Sequence, residues 1–227
     1  MSDLLPTIEV ETADHPEFSV IWLHGLGADG SDFVPLVGEL GLDDSPPIRF
    51  VFPHAPMIPV TCNGGYVMRA WYDIISLEAT SRRVDEAGIN ASRQAIGELI
   101  AREMARGIPS KRIFVAGFSQ GGAVAYTTSL SYPEPLAGVI ALSTYIPDAA
   151  RLASEITPAN RALPVFAAHG RDDNVVSFAL GLAAKDFLLE RGYRVDWHDY
   201  PMTHSLCLEE VGAIGAWLRQ RIAGAFA

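Results

Sequence analysis

The chain has 227 residues, 49% of them hydrophobic and 19% charged. That is enough apolar material for one packed core, and it excludes a disordered polymer. The net charge of −10, from 17 basic and 27 acidic residues, argues against nucleic acid or an anionic membrane surface as partner. Two cysteines, Cys62 and Cys207, make no disulfide framework. No apolar run approaches the roughly 18 residues of a membrane span. Met1–Pro6 lacks the basic region of a secretory signal, so a cytoplasmic protein is expected.

In chain order, the first buried strand predicted is Phe18–Leu23, which runs into His24-Gly25-Leu26-Gly27. Ile48–Phe52 follows and stops at Pro53. From Pro53 to Leu77 the rhythm breaks. Pro53, Pro56, Pro59, Gly64 and Gly65 punctuate a stretch that also holds Met57, Ile58, Val60, Tyr66, Val67, Met68, Trp71 and Tyr72. It is too long for a plain connection and predicts a mobile, lid-like loop over a binding site. The plainer readings are packing onto the sheet or a dimer contact.

Ile89, Ile96, Leu99, Ile100 and Met104 share one face of a helix that ends near Gly107. Arg112–Ala116 reads as a strand and Gly122 to Leu130 as a helix. Gly138–Leu142 and Val165–Ala168 read as two more strands. The 20 residues from Thr144 to Leu163 are too few for a cap domain. Leu180, Ala184, Phe187 and Leu188 stripe another helix. Arg194–Tyr200 alternates like an edge strand, and Val211, Ile214, Leu218 and Ile222 stripe the last helix. Apolar strands alternating with helices predict an α/β fold, one domain over 1–227, with a mostly parallel sheet and helices on both faces. Ligands in such sheets sit beyond the carboxyl ends of the strands.

Gly117-Phe118-Ser119-Gln120-Gly121 matches Gly-x-Ser-x-Gly. A chain of this length meets that pattern by chance roughly once in ten, so its position decides. Here it follows a predicted strand and opens a predicted helix, the setting of a nucleophile elbow rather than of an idle serine in a turn. A serine hydroxyl is a poor nucleophile near neutral pH. It needs a base, and the base needs an orienting acid. In elbow hydrolases the acid and then the histidine follow the serine in the chain. His169, His198 and His204 follow Ser119. His204 lies after the last strand, where the base belongs. His198 sits inside a strand pattern, and His169 ends a strand as a packing residue or turn anchor. The acid belongs after the preceding strand, where Asp172 and Asp173 stand side by side. Spacing does not choose between them, and either also suits a helix cap. The N–H groups of Leu26 and Gln120 are the expected oxyanion-hole donors. The Gly-x-Gly in that loop also marks phosphate-cradling turns, but the rest of a dinucleotide fingerprint is missing. No cofactor or metal is expected.

Taken together, Trp22-Leu23-His24-Gly25-Leu26-Gly27-Ala28-Asp29-Gly30, Phe52-Pro53-His54-Ala55-Pro56, Asn63-Gly64-Gly65, Trp71-Tyr72-Asp73, Ala116-Gly117-Phe118-Ser119-Gln120-Gly121-Gly122 and Ala141-Leu142-Ser143 closely resemble the bacterial carboxylesterase and acyl-protein thioesterase family, also called phospholipase/carboxylesterase. The likeness runs from Phe18 to Ile222. It implies a small α/β-hydrolase without a cap domain and a triad of Ser119, Asp173 and His204, because the pattern His-Gly-x-x-Asp-x-Val-Val selects Asp173. It also implies an acyl groove roofed by the loop of Trp71 and Tyr72, with Met57 and Ile58 as further substrate-binding residues, and a homodimer, the state of many members. His54, Cys62 and Arg69 stand where members differ and receive no role. Arg69 is read as solvated rather than as an anchor for a distal anion, and neither cysteine occupies the elbow. The expectation is a serine carboxylesterase for small-molecule esters with short to medium acyl chains. Thioesterase or lysophospholipase action by the same residues is the alternative, and a catalytically silent binding module the remote one.

Overall fold

The computed structural model describes residues 4–77 and 82–225. The chain runs through β1 (Thr7–Glu11), β2 (Phe18–Leu23) and β3 (Ile48–Pro53). Two short antiparallel pairs follow: β4 (Met57–Val60) with β5 (Tyr66–Arg69), and β6 (Ile74–Leu77) with β7 (Arg82–Val84). Then come α1 (Glu86–Ala105), β8 (Ile113–Phe118), α2 (Gln120–Ser131), β9 (Gly138–Leu142), α3 (Ala149–Glu155), β10 (Val165–Gly170), α4 (Phe178–Leu189), β11 (Val195–Tyr200) and α5 (Leu208–Gly224).

Seven strands make the central sheet in the order β1-β3-β2-β8-β9-β10-β11. β1 lies antiparallel to β3, and all other neighbours are parallel. The apolar runs explain this. β2, β3, β9 and β10 are buried at every residue, as strands covered on both faces must be. β11 is half-exposed along its length and closes one edge, as its alternation predicts. Successive side chains point to opposite faces. Ile21, Leu23, Val115 and Val139 therefore pack with Ile96, Leu99, Val124 and Leu188 of the helices on one side. Val20, Trp22, Phe114 and Ile140 pack with Val211, Ile214, Trp217 and Leu218 of α5 on the other.

Asp85 caps α1 by accepting from the Ala87 N–H at 3.0 Å. β1 escapes the sequence reading because its alternating Thr-Ile-Glu-Val-Glu lacks an apolar run. The stretch from Pro53 to Leu77, expected as one loop, contains β4, β5 and β6 instead. The β4–β5 hairpin pairs Met57 with Arg69 and Val60 with Tyr66. Gly64 and Gly65 mark its turn, whereas Pro59 lies within β4 opposite Val67.

The strands β2, β8 and β10 share one direction, so their carboxyl ends open at one edge. The turns that follow, with the one after β11, carry His24–Gly30, Ser119, Arg171–Val176 and Pro201–Cys207.

Candidate active site

Ser119 stands between β8 and α2 with φ 55° and ψ −119°. A left-handed φ at a residue with a side chain costs about 1–3 kcal/mol and persists only where neighbours impose it. The Ser119 N–H donates to the Leu142 carbonyl at 2.9 Å, and the Thr144 hydroxyl donates to the Ser119 carbonyl at 2.6 Å. Gly121 is required for a different reason. A Cβ there would lie 2.5 Å from the His24 carbonyl oxygen and 2.6 Å from that of Leu23, so α2 packs against the end of β2 only without a side chain.

The His204 Nε2 lies 2.9 Å from the Ser119 Oγ, and its Nδ1 lies 2.7 Å from the Asp173 Oδ2. The other oxygen of Asp173, Oδ1, accepts from the Val175 and Val176 N–H groups at 2.9 and 2.8 Å. Burial opposes charge on Asp173, but its hydrogen bonds with His169 and His204 and from the Val175 N–H outweigh that, and its pKa falls well below the ordinary carboxylate range. An ionised Asp173 accepts only. The proton of a neutral His204 therefore sits on Nδ1, which leaves the Nε2 lone pair for the Ser119 hydroxyl.

Asp172, the neighbouring candidate, is exposed. Its side chain makes no hydrogen bond or ion pair among the described residues, while its N–H donates to the Met202 carbonyl at 3.1 Å. Close packing holds the acid loop to the His204 loop, since a Cβ on Gly170 would come within 2.5 Å of the Thr203 carbonyl oxygen. Sequence reasoning gave His169 a packing role, and it does more. Its Nε2–H donates to the Val176 carbonyl at 2.8 Å and lies 3.4 Å from the Asp173 Oδ2, so it braces the acid from behind. Its position four residues before Asp173 was the available signal.

Leu26 and Gln120 both line a cavity of about 280 Å³ that also contains Ser119 and His204. No group among the described residues accepts from either N–H. Three contacts fix the Leu26 loop. The Gly27 N–H donates to the Arg69 carbonyl at 2.9 Å, the Gly30 N–H donates to the His54 Nδ1 at 3.1 Å, and the Trp71 Nε1–H donates to the His24 carbonyl at 2.8 Å. The His24 Nε2 accepts from the Ala55 N–H at 3.1 Å and its Nδ1–H donates to the Gly25 carbonyl at 2.7 Å. Burial lowers its pKa, so it stays a neutral brace. His54 and Arg69, left without a role by the sequence, belong to this scaffold. The Arg69 Nη1 donates to the Ala55 carbonyl at 2.8 Å rather than standing free in solvent.

The expected roof residues are elsewhere. Trp71 and Tyr72 are 2% and 0% exposed and lie in the core beneath the site. The Gln120 side chain clamps them, with its Oε1 accepting from the Trp71 N–H at 2.8 Å and its Nε2 donating to the Tyr72 carbonyl at 2.7 Å. Met57 is 57% exposed on the hairpin, and neither it nor Ile58 lines the cavity. The Pro53–Leu77 segment reaches the cavity through Cys62, Asn63 and Ile74 instead. Phe118, Tyr145, Val175 and Val176 supply the rest of its apolar wall. Larger hollows of about 510 and 700 Å³ lie elsewhere on the molecule, but neither contains Ser119 or His204.

Among the described residues no three His, Cys, Asp or Glu side chains gather as metal ligands would, and no helix is long and apolar enough to cross a membrane. A model of the Phospholipase/Carboxylesterase family matches residues 6–222. The chain belongs to this family. It is 41% identical over 231 aligned positions to acyl-protein thioesterase 1 of Neurospora crassa, covering 96% of this chain and 91% of that protein. It is 33% identical over 207 positions to carboxylesterase SOBER1 of Arabidopsis thaliana, covering 90% and 91%. The crystal structure of SOBER1 superposes with a TM-score of 0.84 at 32% identity, over 90% of this chain and 99% of that one. These relatives are fungal and plant proteins, so the likeness extends beyond the bacterial members that the motifs suggested. The fold is thus that of an α/β-hydrolase of the phospholipase/carboxylesterase family.

Proposed function

We propose that this member of the family is a serine hydrolase of carboxylic esters, with Ser119 as nucleophile, His204 as base and Asp173 as its orienting acid. The observation that carries the reading is the continuous hydrogen-bonded chain from Asp173 through His204 to Ser119, at 2.7 and 2.9 Å, opening into a cavity. The Ser119 Oγ attacks the acyl carbon while its proton passes to the His204 Nε2. Asp173 holds the resulting imidazolium. The carbonyl oxygen becomes an oxyanion between the Leu26 and Gln120 N–H groups. The tetrahedral adduct collapses, the bond to the leaving oxygen breaks, and His204 returns the proton to it. Water, deprotonated by His204, then attacks the acyl-serine and releases the acid.

The cavity of about 280 Å³ supports short to medium acyl chains, since it lies at the small end of ligand pockets. Thioester hydrolysis is the second reading, favoured by the name of the Neurospora crassa relative. The mechanism is the same, with sulfur as the departing atom. The test is kcat/KM for p-nitrophenyl esters from acetate to palmitate beside acyl thioesters of equal chain length. A maximum at short to medium esters supports the first reading. A maximum at palmitate, or thioesters preferred by orders of magnitude, replaces it with the second.

A further inference from the structure

The catalytic cavity is asymmetric in charge. Among the described residues that line it, Asp32 is the one carboxylate, and no lysine or arginine faces it. Leu26, Ala28, Ile74, Phe118, Tyr145, Val175 and Val176 make the remaining wall largely apolar. No hydrogen bond or ion pair reaches the Asp32 side chain among the described residues, and only its backbone N–H is engaged, donating to the Asp29 carbonyl at 3.1 Å. The neighbouring Asp29 is satisfied differently, accepting from the Ser31 N–H and hydroxyl at 2.7 and 2.6 Å. The guanidinium of Arg69 does not line the cavity and is directed to the Ala55 carbonyl.

The position of Asp32 tells which half of a substrate it meets. The next residue, Phe33, packs its ring 5.9 Å from that of Phe118, and Phe118 lies 4.6 Å from the His204 imidazole. Asp32 thus lines the same cavity as Phe118 and His204. His204 hands its proton to the departing atom, so the leaving group lies beside His204. Resting on the ester-hydrolysis reading above, we propose that Asp32 sets the charge selectivity of the leaving-group side. It favours esters and thioesters whose departing group carries a cation and disfavours those that carry a carboxylate, phosphate or sulfonate.

Burial and the Asp29 carboxylate both raise the pKa of Asp32, as they do for an acid held partly out of water beside a like charge. A cation arriving in the cavity relieves both effects. Asp32 is only partly shielded and most of its side chain faces solvent, which weakens the coupling, so an effect of about three- to fivefold in kcat/KM is expected for each charged substrate.

The test uses three butyrate esters of similar size: the choline ester, its uncharged 3,3-dimethylbutyl isostere, and the ester of 2-hydroxyethanesulfonate. Each is measured on wild type, Asp32→Asn and Asp32→Lys. The readout is the ratio of kcat/KM for each charged ester to that of the neutral one, which cancels differences in alcohol chemistry between variants. The choline ratio is expected to fall about three- to fivefold in Asp32→Asn and further in Asp32→Lys, while the sulfonate ratio rises in the same order. Salt should erase the wild-type difference. Ratios that stay constant across the three proteins overturn the proposal, as does a loss shared equally by all three esters, which would make Asp32 a loop-holding residue. If wild type hydrolyses none of the esters, the hydrolase reading fails; if it hydrolyses all of them with the ratios of Asp32→Asn, only the role of Asp32 fails.

Discussion

Replacing Trp71 distinguishes a tryptophan that builds the site from one that touches substrate. The residue is 2% exposed and shares its core with Tyr72, Ile74 and Ile89. Truncating a buried aromatic side chain to alanine costs about 3–5 kcal/mol. The His24 carbonyl also loses the Trp71 Nε1–H, its donor at 2.8 Å, and an orphaned buried acceptor costs about 1–3 kcal/mol. Together these are a large part of the roughly 5–15 kcal/mol that holds a domain folded. For a chain of this size each kcal/mol lowers Tm by about 2–4 °C, so Trp71→Ala should lose about 10 °C or more. Trp71→Phe keeps most of the ring and loses the donor, so its loss should be a fraction of that. The assay is thermal unfolding followed by circular dichroism, with kcat/KM on p-nitrophenyl acetate and octanoate. Because Trp71 braces the Leu26 loop from behind, both esters should lose rate by the same factor. A Tm within about 2 °C of wild type, with loss confined to octanoate, would refute this reasoning and return Trp71 to the acyl site.

Four further substitutions test other contacts. Asp173→Asn should lower kcat about ten-thousandfold, as loss of the orienting carboxylate does in a serine protease, whereas Asp172→Asn, on an exposed side chain, should leave it within a few fold; steady-state kinetics on one ester would settle the order. Gly121→Ala drives a methyl group toward the His24 and Leu23 carbonyl oxygens and should destabilise by about 1–3 kcal/mol or more in urea unfolding. Glu210, fully buried with neither carboxylate oxygen hydrogen-bonded among the described residues, is pushed up to about 8 by burial. Its proton is held more tightly in the folded chain than in the unfolded one, so wild-type stability falls as pH rises from about 4.5 to about 8 and then levels. Glu210→Gln should therefore gain on wild type across that window, by at most about 5 kcal/mol, in urea unfolding at pH 5, 7 and 9.

That Ser119 and His204 meet at one edge of the sheet was legible because both follow strands, and the order of strands, turns and helices is written in local apolar patterns. Spacing did not choose between Asp172 and Asp173; only the family resemblance pointed to Asp173. The choice depends on the turn that points one side chain at the Val175 and Val176 N–H groups and the other into solvent. The burial of Trp71 and Tyr72 was hidden for a related reason. Their neighbours in the chain read as an apolar loop, but the Gln120 amide that holds them lies 49 and 48 residues away. Long-range hydrogen bonds of that kind leave no periodic trace. The short strands β4 and β5 were obscured by the prolines and glycines in and around them. Asp32 belongs to none of the sequence motifs, and it joins Phe118 and His204 only in the folded cavity.

Whether Ser119 is an activated nucleophile is tested most directly by covalent labelling with a fluorophosphonate, followed by intact-mass and peptide analysis. A single adduct on the peptide containing Ser119 is predicted for wild type, absent from Ser119→Ala and slowed by orders of magnitude in His204→Ala. An adduct on another residue, or labelling of Ser119→Ala at the wild-type rate, would contradict the assignment of the Ser119–His204–Asp173 chain as the catalytic machinery.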